Sequence, residues 1–326
     1  MKTHSFRFKL PKRAVLIFAV LLLVVPVIIF PDRYVGSVSV GLELYAIKVL
    51  PALFPFFFFS KILSELNFGH DLGAILKKPL RKLYNAPPIA GYVMVMSMLC
   101  GYPIGAKLLS DYYEAGYIDE KTARSVAAFT SNSGPLFIVG TVGVGILNDK
   151  NAGFIILISH YLSSLICGLI FRGKSCDRPE PRIPEVNYDK ILSESMTGAI
   201  TNVLIVGGYV AIFNMVSDML CDVGLIKILS SALSFVGVDI RLGKGIFTGL
   251  IEITKGSLLL SKTGLEAKIV VPTIALIITF GGLSVTLQSM TYLNKCKISP
   301  LFYLLFKSVQ GILAFFICLA LCAVIY

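Results

Sequence analysis

Long apolar runs, separated by short polar stretches, form the main pattern of hydrophobic positions along the chain. A helix crosses the roughly 30 Å hydrocarbon layer of a bilayer with about 20 residues, and most of the runs approach or exceed that length. The runs lack the strict alternation of a transmembrane β-strand. The pattern therefore predicts an all-α polytopic membrane protein. Its apolar segments are 14–30, 41–64, 87–115, 125–147, 152–171, 197–220, 224–238, 243–262, 268–293 and 300–325.

Four of these segments contain residues that break a helix or place polar and charged side chains in an apolar run. An internal duplication is indicated because Lys107 precedes Gly134 by 27 residues, and Lys255 precedes Gly282 by the same 27. Paired broken segments in two halves are also the best pointer in a sequence to a transporter site. The four interruptions are Gly101-Tyr102-Pro103, the run from Thr130 to Pro135, Glu252 with Lys255, and Gly281-Gly282.

The duplication divides the chain into four predicted parts. These are a basic N-terminal segment with a first transmembrane helix (1–40), a first repeat (41–172), a cytoplasmic connector (173–196) and a second repeat (197–326). The apolar run in the first part lacks a small-residue cleavage site, so we expect a retained span rather than a secretory signal.

Lysine and arginine positions favour one of two topologies. Segments 87–115 and 243–262 either cross the membrane fully or enter and leave on one side as re-entrant hairpins. With hairpins and a cytoplasmic N-terminus, more of the basic loop residues lie inside, as the positive-inside rule requires. Each repeat then crosses an odd number of times, so the two repeats are inverted relative to each other. A basic loop is predicted between the second and third segments, at Lys77, Lys78, Arg81 and Lys82.

Composition agrees with a membrane protein and argues against several classes of function. Of the 326 residues, 56% are hydrophobic and 15% are charged, whereas soluble domains carry roughly 25% charged residues. The net charge of +11 is explained by basic cytoplasmic loops, so we expect no nucleic-acid partner. Neither metal-ligand spacing nor a CxxC pair occurs, so we expect no metal and no cofactor. Walker A, GxSxG and HExxH motifs are absent from the sequence, and we expect no enzyme activity.

Ionisable residues beside the interruptions are the candidates for substrate binding. Lys107 and Lys255 follow the breaks of two segments, where the start of a half-helix attracts anions. The alternative is that both lysines extend to the membrane surface. Glu252 either carries protons or pairs internally with Lys255. Asn132 lies in a polar run before Pro135, which either binds a polar substrate or stabilises a helix kink.

Four motifs in these segments resemble those of the YlbJ-type sporulation integral membrane proteins, in the order in which that family carries them. Thr279 stands where the family pattern has a small residue. The resemblance implies paired nucleoside-recognition (Gate) domains, whose helical hairpins resemble those of concentrative nucleoside transporters. The motifs are Gly101-Tyr102-Pro103-Ile104-Gly105-Ala106-Lys107, Ser131-Asn132-Ser133-Gly134-Pro135-Leu136-Phe137, Glu252-Ile253-Thr254-Lys255-Gly256, and Phe280-Gly281-Gly282-Leu283-Ser284-Val285 followed by Gln288.

The resemblance also implies a role in spore formation, namely transport of dipicolinic acid out of the mother cell across the outer forespore membrane. A nucleoside or another polar metabolite is the alternative substrate, and a non-transporting membrane sensor is the alternative role. The expected partners are this small anion and the lipid bilayer. The predicted substrate-binding residues are Gly101, Tyr102, Pro103, Lys107, Ser131, Asn132, Ser133, Glu252, Thr254, Lys255, Gly282, Ser284 and Gln288.

Overall fold

A computed structural model describes residues 12–173 and 185–326 of the chain. Within these two ranges the secondary structure is helical and contains no strands, which confirms the all-α prediction. The N-terminal residues before Lys12 and most of the connector, including Cys176, lie outside the described residues. The cytoplasmic location of the N-terminus therefore stays a prediction.

The part before the connector consists of eight α-helices and two π-helices, labelled π1 and π2, among the described residues. They are α1 (Lys12–Ile29), α2 (Pro31–Leu44), π1 (Tyr45–Val49), α3 (Leu50–Glu65), α4 (Phe68–Tyr84), α5 (Ile89–Cys100), α6 (Ile104–Glu114), α7 (Glu120–Thr130), π2 (Leu136–Ile146) and α8 (Lys150–Ile170).

The part after the connector consists of α-helices in the described residues. They are α9 (Ile191–Asp222), α10 (Leu225–Ser234), α11 (Ile240–Gly249), α12 (Ile253–Ser261), α13 (Ala267–Phe280), α14 (Gly282–Leu293) and α15 (Pro300–Ile325).

Several helices in the described residues are long and apolar enough to cross a membrane. Four stretches meet this requirement, namely α8, α9, α13 together with α14, and α15. Two bent pairs also qualify as broken spans or re-entrant loops. In one pair, α1 meets α2 and π1 at an angle of 107°, and in the other, the later part of α4 meets α5 at 102°. These helices support the prediction of an integral membrane protein.

Three predicted boundaries differ from the structure. The basic loop between the second and third segments is wrong, because its residues form the amphipathic helix α4, which buries Leu80 and Tyr84 and exposes the basic side chains. The segment predicted at 41–64 is helical but extends back to Pro31 and includes π1. The predicted connector ends earlier than residue 196, since α9 begins at Ile191.

The order of elements is the same in the two halves. Each half has a first helix, an amphipathic helix, the two arms of a hairpin, two half-helices separated by a break, and a final long helix. These series are α3 to α8 and α9 to α15. The hairpin of each half contacts a half-helix of the other half. Helix α6 of the first half contacts α14 of the second, and α12 of the second half contacts π2 of the first. Inversion of one half relative to the membrane stays a prediction.

Glycines allow the hairpin arms to pack closely. A Cβ atom added at Gly105 would lie 2.0 Å from the carbonyl oxygen of Thr130, at the end of α7. A Cβ added at Gly256 would lie 2.2 Å from the Cα of Gly249, in the opposite arm of the second hairpin. Main chains therefore touch at both places, and neither position has room for a side chain.

Candidate functional site

Each hairpin has a tip between its two arms, at 101–103 in the first repeat and 250–252 in the second. Each pair of half-helices is separated by a break, at 131–135 in the first repeat and at Gly281 in the second. Each tip lies against the break of its own repeat. In the first repeat, a Cβ added at Gly101 would be 2.6 Å from the amide nitrogen of Gly134. In the second repeat, the amide of Leu283 donates a hydrogen bond of 2.8 Å to the carbonyl of Leu250, and the amide of Ser284 donates one of 3.1 Å to Ile251. The backbone groups released at each break are therefore close to protein, as non-helical backbone at membrane depth requires.

The two tips and the two breaks surround one inner cavity of about 60 Å³. Most of the apolar wall comes from α3, α9, π1 and π2, and the polar groups come from the tips, the breaks and the helices that follow them. Seven of the predicted substrate-binding residues line the inner cavity. They are Gly101, Tyr102, Ser133, Glu252, Thr254, Ser284 and Gln288.

Glu252 is the acidic residue of the inner cavity, and its side chain is 1% exposed. Its carboxylate caps α12 by accepting a hydrogen bond of 2.7 Å from the amide of Lys255. A carboxylate at the start of a helix is stabilised by the positive end of the helix dipole. The described residues that line this cavity include neither lysine nor arginine.

The two lysines predicted to bind an anion point away from the inner cavity. The ammonium of Lys107 lies 3.0 Å from Asp111 on the same helix, and both side chains are about half exposed. The ammonium of Lys255 lies 2.8 Å from Asp218 and donates to the carbonyl of Asn214 at 3.2 Å. Because Lys255 pairs with Asp218, the alternative of an ion pair between Lys255 and Glu252 is not what the structure shows.

Lys107 instead lines a second, larger cavity, here called the outer cavity, of about 260 Å³. It lies beside the inner cavity, and the two share Phe57 and Cys100 as lining residues. Lys61 also lines the outer cavity and forms an ion pair with Glu65 one turn further along α3. The outer cavity therefore presents two ammonium groups, each paired with a carboxylate of its own helix.

Lys307 in α15 is a central residue of this region to which sequence analysis assigned no role. Its side chain is fully buried, and its ammonium donates hydrogen bonds to Tyr102 Oη at 2.6 Å, to the Ser131 carbonyl at 2.9 Å and to Gln310 Oε1 at 2.7 Å. One side chain of the second repeat thus holds the tip and the break of the first. The available signal was a lysine in the middle of an apolar segment, which is costly and therefore suggests function.

His160 in α8 makes a similar connection in the opposite direction. Its Nε2 accepts a hydrogen bond of 2.9 Å from the amide of Ser133, and its Nδ1 lies 2.9 Å from the hydroxyl of Thr279. Because an amide can only donate, Nε2 is the unprotonated nitrogen of the neutral ring, and Nδ1 donates to Thr279. Thr279, which departs from the family pattern, therefore links the break of the second repeat to α8.

Asn132 lies behind the cavity rather than in its wall. Its side-chain amide donates to Ser97 Oγ and to the Phe129 carbonyl, both at 3.1 Å, and its oxygen lies 3.5 Å from Gln310 Nε2. The side chain is 1% exposed and has partners on three elements. Its position fits the alternative that this run stabilises a helix kink, and the prediction that Asn132 binds a substrate is untested.

Comparison with known proteins finds a relative that aligns with most of the chain. The chain is 28% identical over 321 residues to the Sporulation integral membrane protein YlbJ of Bacillus subtilis (strain 168), a match that covers 90% of this chain and 79% of that protein. The chain resembles the YlbJ-type family. This similarity confirms the resemblance expected from the four motifs, and the relative's name together with the apolar helices supports a membrane role. No family model matches the chain, and no solved structure matches it.

The other residues expected from the YlbJ-type motifs surround the inner cavity without lining it. Pro103 precedes α6, and its peptide bond with Tyr102 is cis. Ser131 accepts from Lys307, and a Cβ added at Gly282 would lie 2.8 Å from the carbonyl of Gly249. The YlbJ-type motifs therefore converge in space. Of the ten predicted site residues with polar side chains, six line the inner cavity, and Lys107, Ser131, Asn132 and Lys255 do not.

Proposed function

We propose that the chain is a membrane transporter for a small polar organic solute, with dipicolinic acid as the predicted substrate. The observation that carries this proposal is the inner cavity at the point where both hairpin tips and both helix breaks meet. Broken helices with such half-helix ends are the usual substrate sites of secondary transporters. The relative's name supports a role in sporulation. We propose that the chain moves dipicolinate from the mother cell across the outer forespore membrane.

The outer cavity provides an entry site for an anion in this proposal. Lys61 and Lys107 lie in its wall, and each ammonium is paired with a carboxylate of its own helix. A dicarboxylate can replace these two partners, because its own carboxylates supply equivalent charge-assisted hydrogen bonds. The shared residues Phe57 and Cys100 then mark the passage toward the inner cavity.

The carboxylate of Glu252 would repel an anion that passes through the inner cavity. A carboxylate and a dianion a few ångströms apart repel each other by about 4 kcal/mol per charge pair at an effective dielectric constant of 20. The proposal therefore requires a proton on Glu252 or on the substrate during passage. Transport of the anion is then accompanied by a proton, and Glu252 is the residue proposed to carry it.

A neutral polar solute such as a nucleoside is the second candidate, and the inner cavity gives a specific reason for it. The polar part of its described lining consists of hydroxyl groups, one amide and one carboxylate, without a basic side chain. Such a set pairs with the hydroxyl and amino groups of a neutral ligand. Competition by unlabelled nucleosides distinguishes this candidate from the first.

The test is uptake of labelled dipicolinate into vesicles that contain the purified protein. We expect saturable uptake by the wild type and loss of uptake in Lys107→Ala and Glu252→Gln. Lys295→Ala is the matched control, because Lys295 is a half-exposed lysine that pairs with Glu114 and lines neither cavity. Normal uptake by Lys107→Ala would overturn the entry site. Lack of uptake by the folded wild type, or inhibition by nucleosides alone, would overturn dipicolinate as the substrate.

A further inference from the structure

The ammonium of Lys307 is surrounded by oxygen atoms from three separate parts of the fold. Tyr102 Oη belongs to the first hairpin tip, the Ser131 carbonyl belongs to the end of α7, and Gln310 Oε1 belongs to α15 itself. Among the described residues no carboxylate forms an ion pair with this ammonium. A fully buried charge is thus balanced by neutral oxygens, which is an expensive arrangement inside a membrane protein.

The Ser131 carbonyl makes this an electrostatically suitable place for a cation. Helix α7 ends at Thr130, and Ser131 is its C-terminal cap. The carbonyls at the end of a helix carry the negative pole of its dipole, so they favour a positive charge. Unwound carbonyls and half-helix C-termini bind the coupling cation in many secondary transporters.

His160 does not compete for the charge of Lys307. Its Nε2 accepts from the Ser133 amide, and its Nδ1 donates to Thr279, so neither ring nitrogen offers a lone pair to the ammonium. The hydrogen-bond acceptors that the structure shows for the lysine are therefore oxygen atoms, and its ammonium also lies 5.1 Å from the centroid of the Tyr102 ring. Oxygen ligands are also what a hard monovalent cation such as sodium prefers.

We propose that Lys307 is a built-in cation that occupies a sodium-type site formed by Tyr102, Ser131 and Gln310. The wild-type protein then binds no sodium at this site, since the side chain of Lys307 fills it. This inference extends the proposed function, because it makes transport independent of a sodium gradient. It concerns an ion site of the fold, however, and can be tested without any transported substrate.

Shortening the side chain should convert the site into one that binds a free cation. Lys307→Ala removes the ammonium and opens space next to Tyr102, which also lines the inner cavity and so provides a path for ions. Lys307→Met is the matched control, because it removes the charge but keeps most of the volume. Both variants lose the three hydrogen bonds, and only the alanine variant leaves room for sodium.

The measurement is thermal unfolding of the purified protein in detergent, in sodium chloride and in choline chloride of equal ionic strength. We expect the melting temperature of Lys307→Ala to rise with the logarithm of the sodium concentration, as stabilisation by a bound ligand requires. The wild type and Lys307→Met should melt at the same temperature in both salts. Equal melting of Lys307→Ala in both salts would overturn the inference.

The wild type provides a second test that does not depend on folding of the alanine variant. A sodium-dependent rise in its melting temperature would contradict a site already filled by Lys307. Uptake of dipicolinate that requires a sodium gradient would reject the inference and leave the proposed function standing. A sodium response of Lys307→Ala without any uptake by the wild type would support the ion site and reject the proposed substrate.

Discussion

Gly105 lets the second arm of the first hairpin touch the end of α7, and its replacement by alanine is a direct test of the packing at the tip. The added Cβ would lie 2.0 Å from the Thr130 carbonyl oxygen and 2.7 Å from the Cβ of Ser97, whereas ordinary van der Waals contacts lie at 3.4 Å or more. Both neighbours are buried, and one is main chain. The hairpin must therefore move away from α7 to accept the methyl group.

The expected cost follows from two opposing effects. Overpacking of a close contact destabilises a protein by about 1–3 kcal/mol. Alanine in place of glycine inside a helix stabilises it by about 1 kcal/mol. Gly208→Ala in α9 isolates the second effect, because a Cβ at Gly208 meets no atom within 4 Å. The helix effect is common to both variants and cancels, so we expect a difference of roughly 1–3 kcal/mol between them, which is the overpacking cost.

Thermal unfolding in detergent, followed by circular dichroism, measures this difference. With about 2 °C per kcal/mol for a large chain, Gly105→Ala should melt several degrees below Gly208→Ala. Its uptake of the transported solute should also fall, because the displaced tip carries Tyr102 in the wall of the inner cavity. A melting temperature for Gly105→Ala at or above that of Gly208→Ala would refute the close contact.

Two further predictions concern buried polar contacts. His160→Leu leaves the Ser133 amide without its acceptor and should lower the free energy of unfolding by about 1–3 kcal/mol. His160→Gln, which keeps an acceptor and a donor, should lose less in the same thermal assay, and equal losses would argue against the hydrogen bonds. Asp218→Asn leaves the ammonium of Lys255 without its counter-charge and should cost about 1–3 kcal/mol. Adding Lys255→Met to Asp218→Asn should restore part of this loss, whereas strict additivity of the two changes would show that the ion pair contributes nothing.

The hairpins and breaks could be predicted from local signals, because glycine, proline and clustered polar residues interrupt a helix wherever they occur. The predicted breaks at Gly101 and Gly281 lie where helices end in the structure. Helix α4 was missed because four basic residues suggested a loop. The apolar face formed by Leu80 and Tyr84 was the overlooked signal.

The contacts made by Lys307 and His160 could not be predicted in the same way. Lys307 and Ser131 are 176 positions apart, and His160 and Thr279 are 119 positions apart. Hydrophobic periodicity shows which face of a helix is buried, but it does not show which distant segment covers that face. A single charge in an apolar run indicates that a partner exists and leaves its identity open.

The bond between Lys307 and Ser131 has a consequence for biosynthesis in the membrane. The first repeat leaves the ribosome long before α15, and at about 5–20 residues per second the 176 intervening positions take roughly 10–35 s to translate. During that interval the Ser131 carbonyl has no ammonium to accept from, and until residue 279 is made the Nδ1 proton of His160 has no Thr279 hydroxyl. The first half is therefore present in the bilayer as an incomplete folding intermediate, and the hydrogen bond from Lys307 to its Ser131 carbonyl forms only after the last helix is inserted.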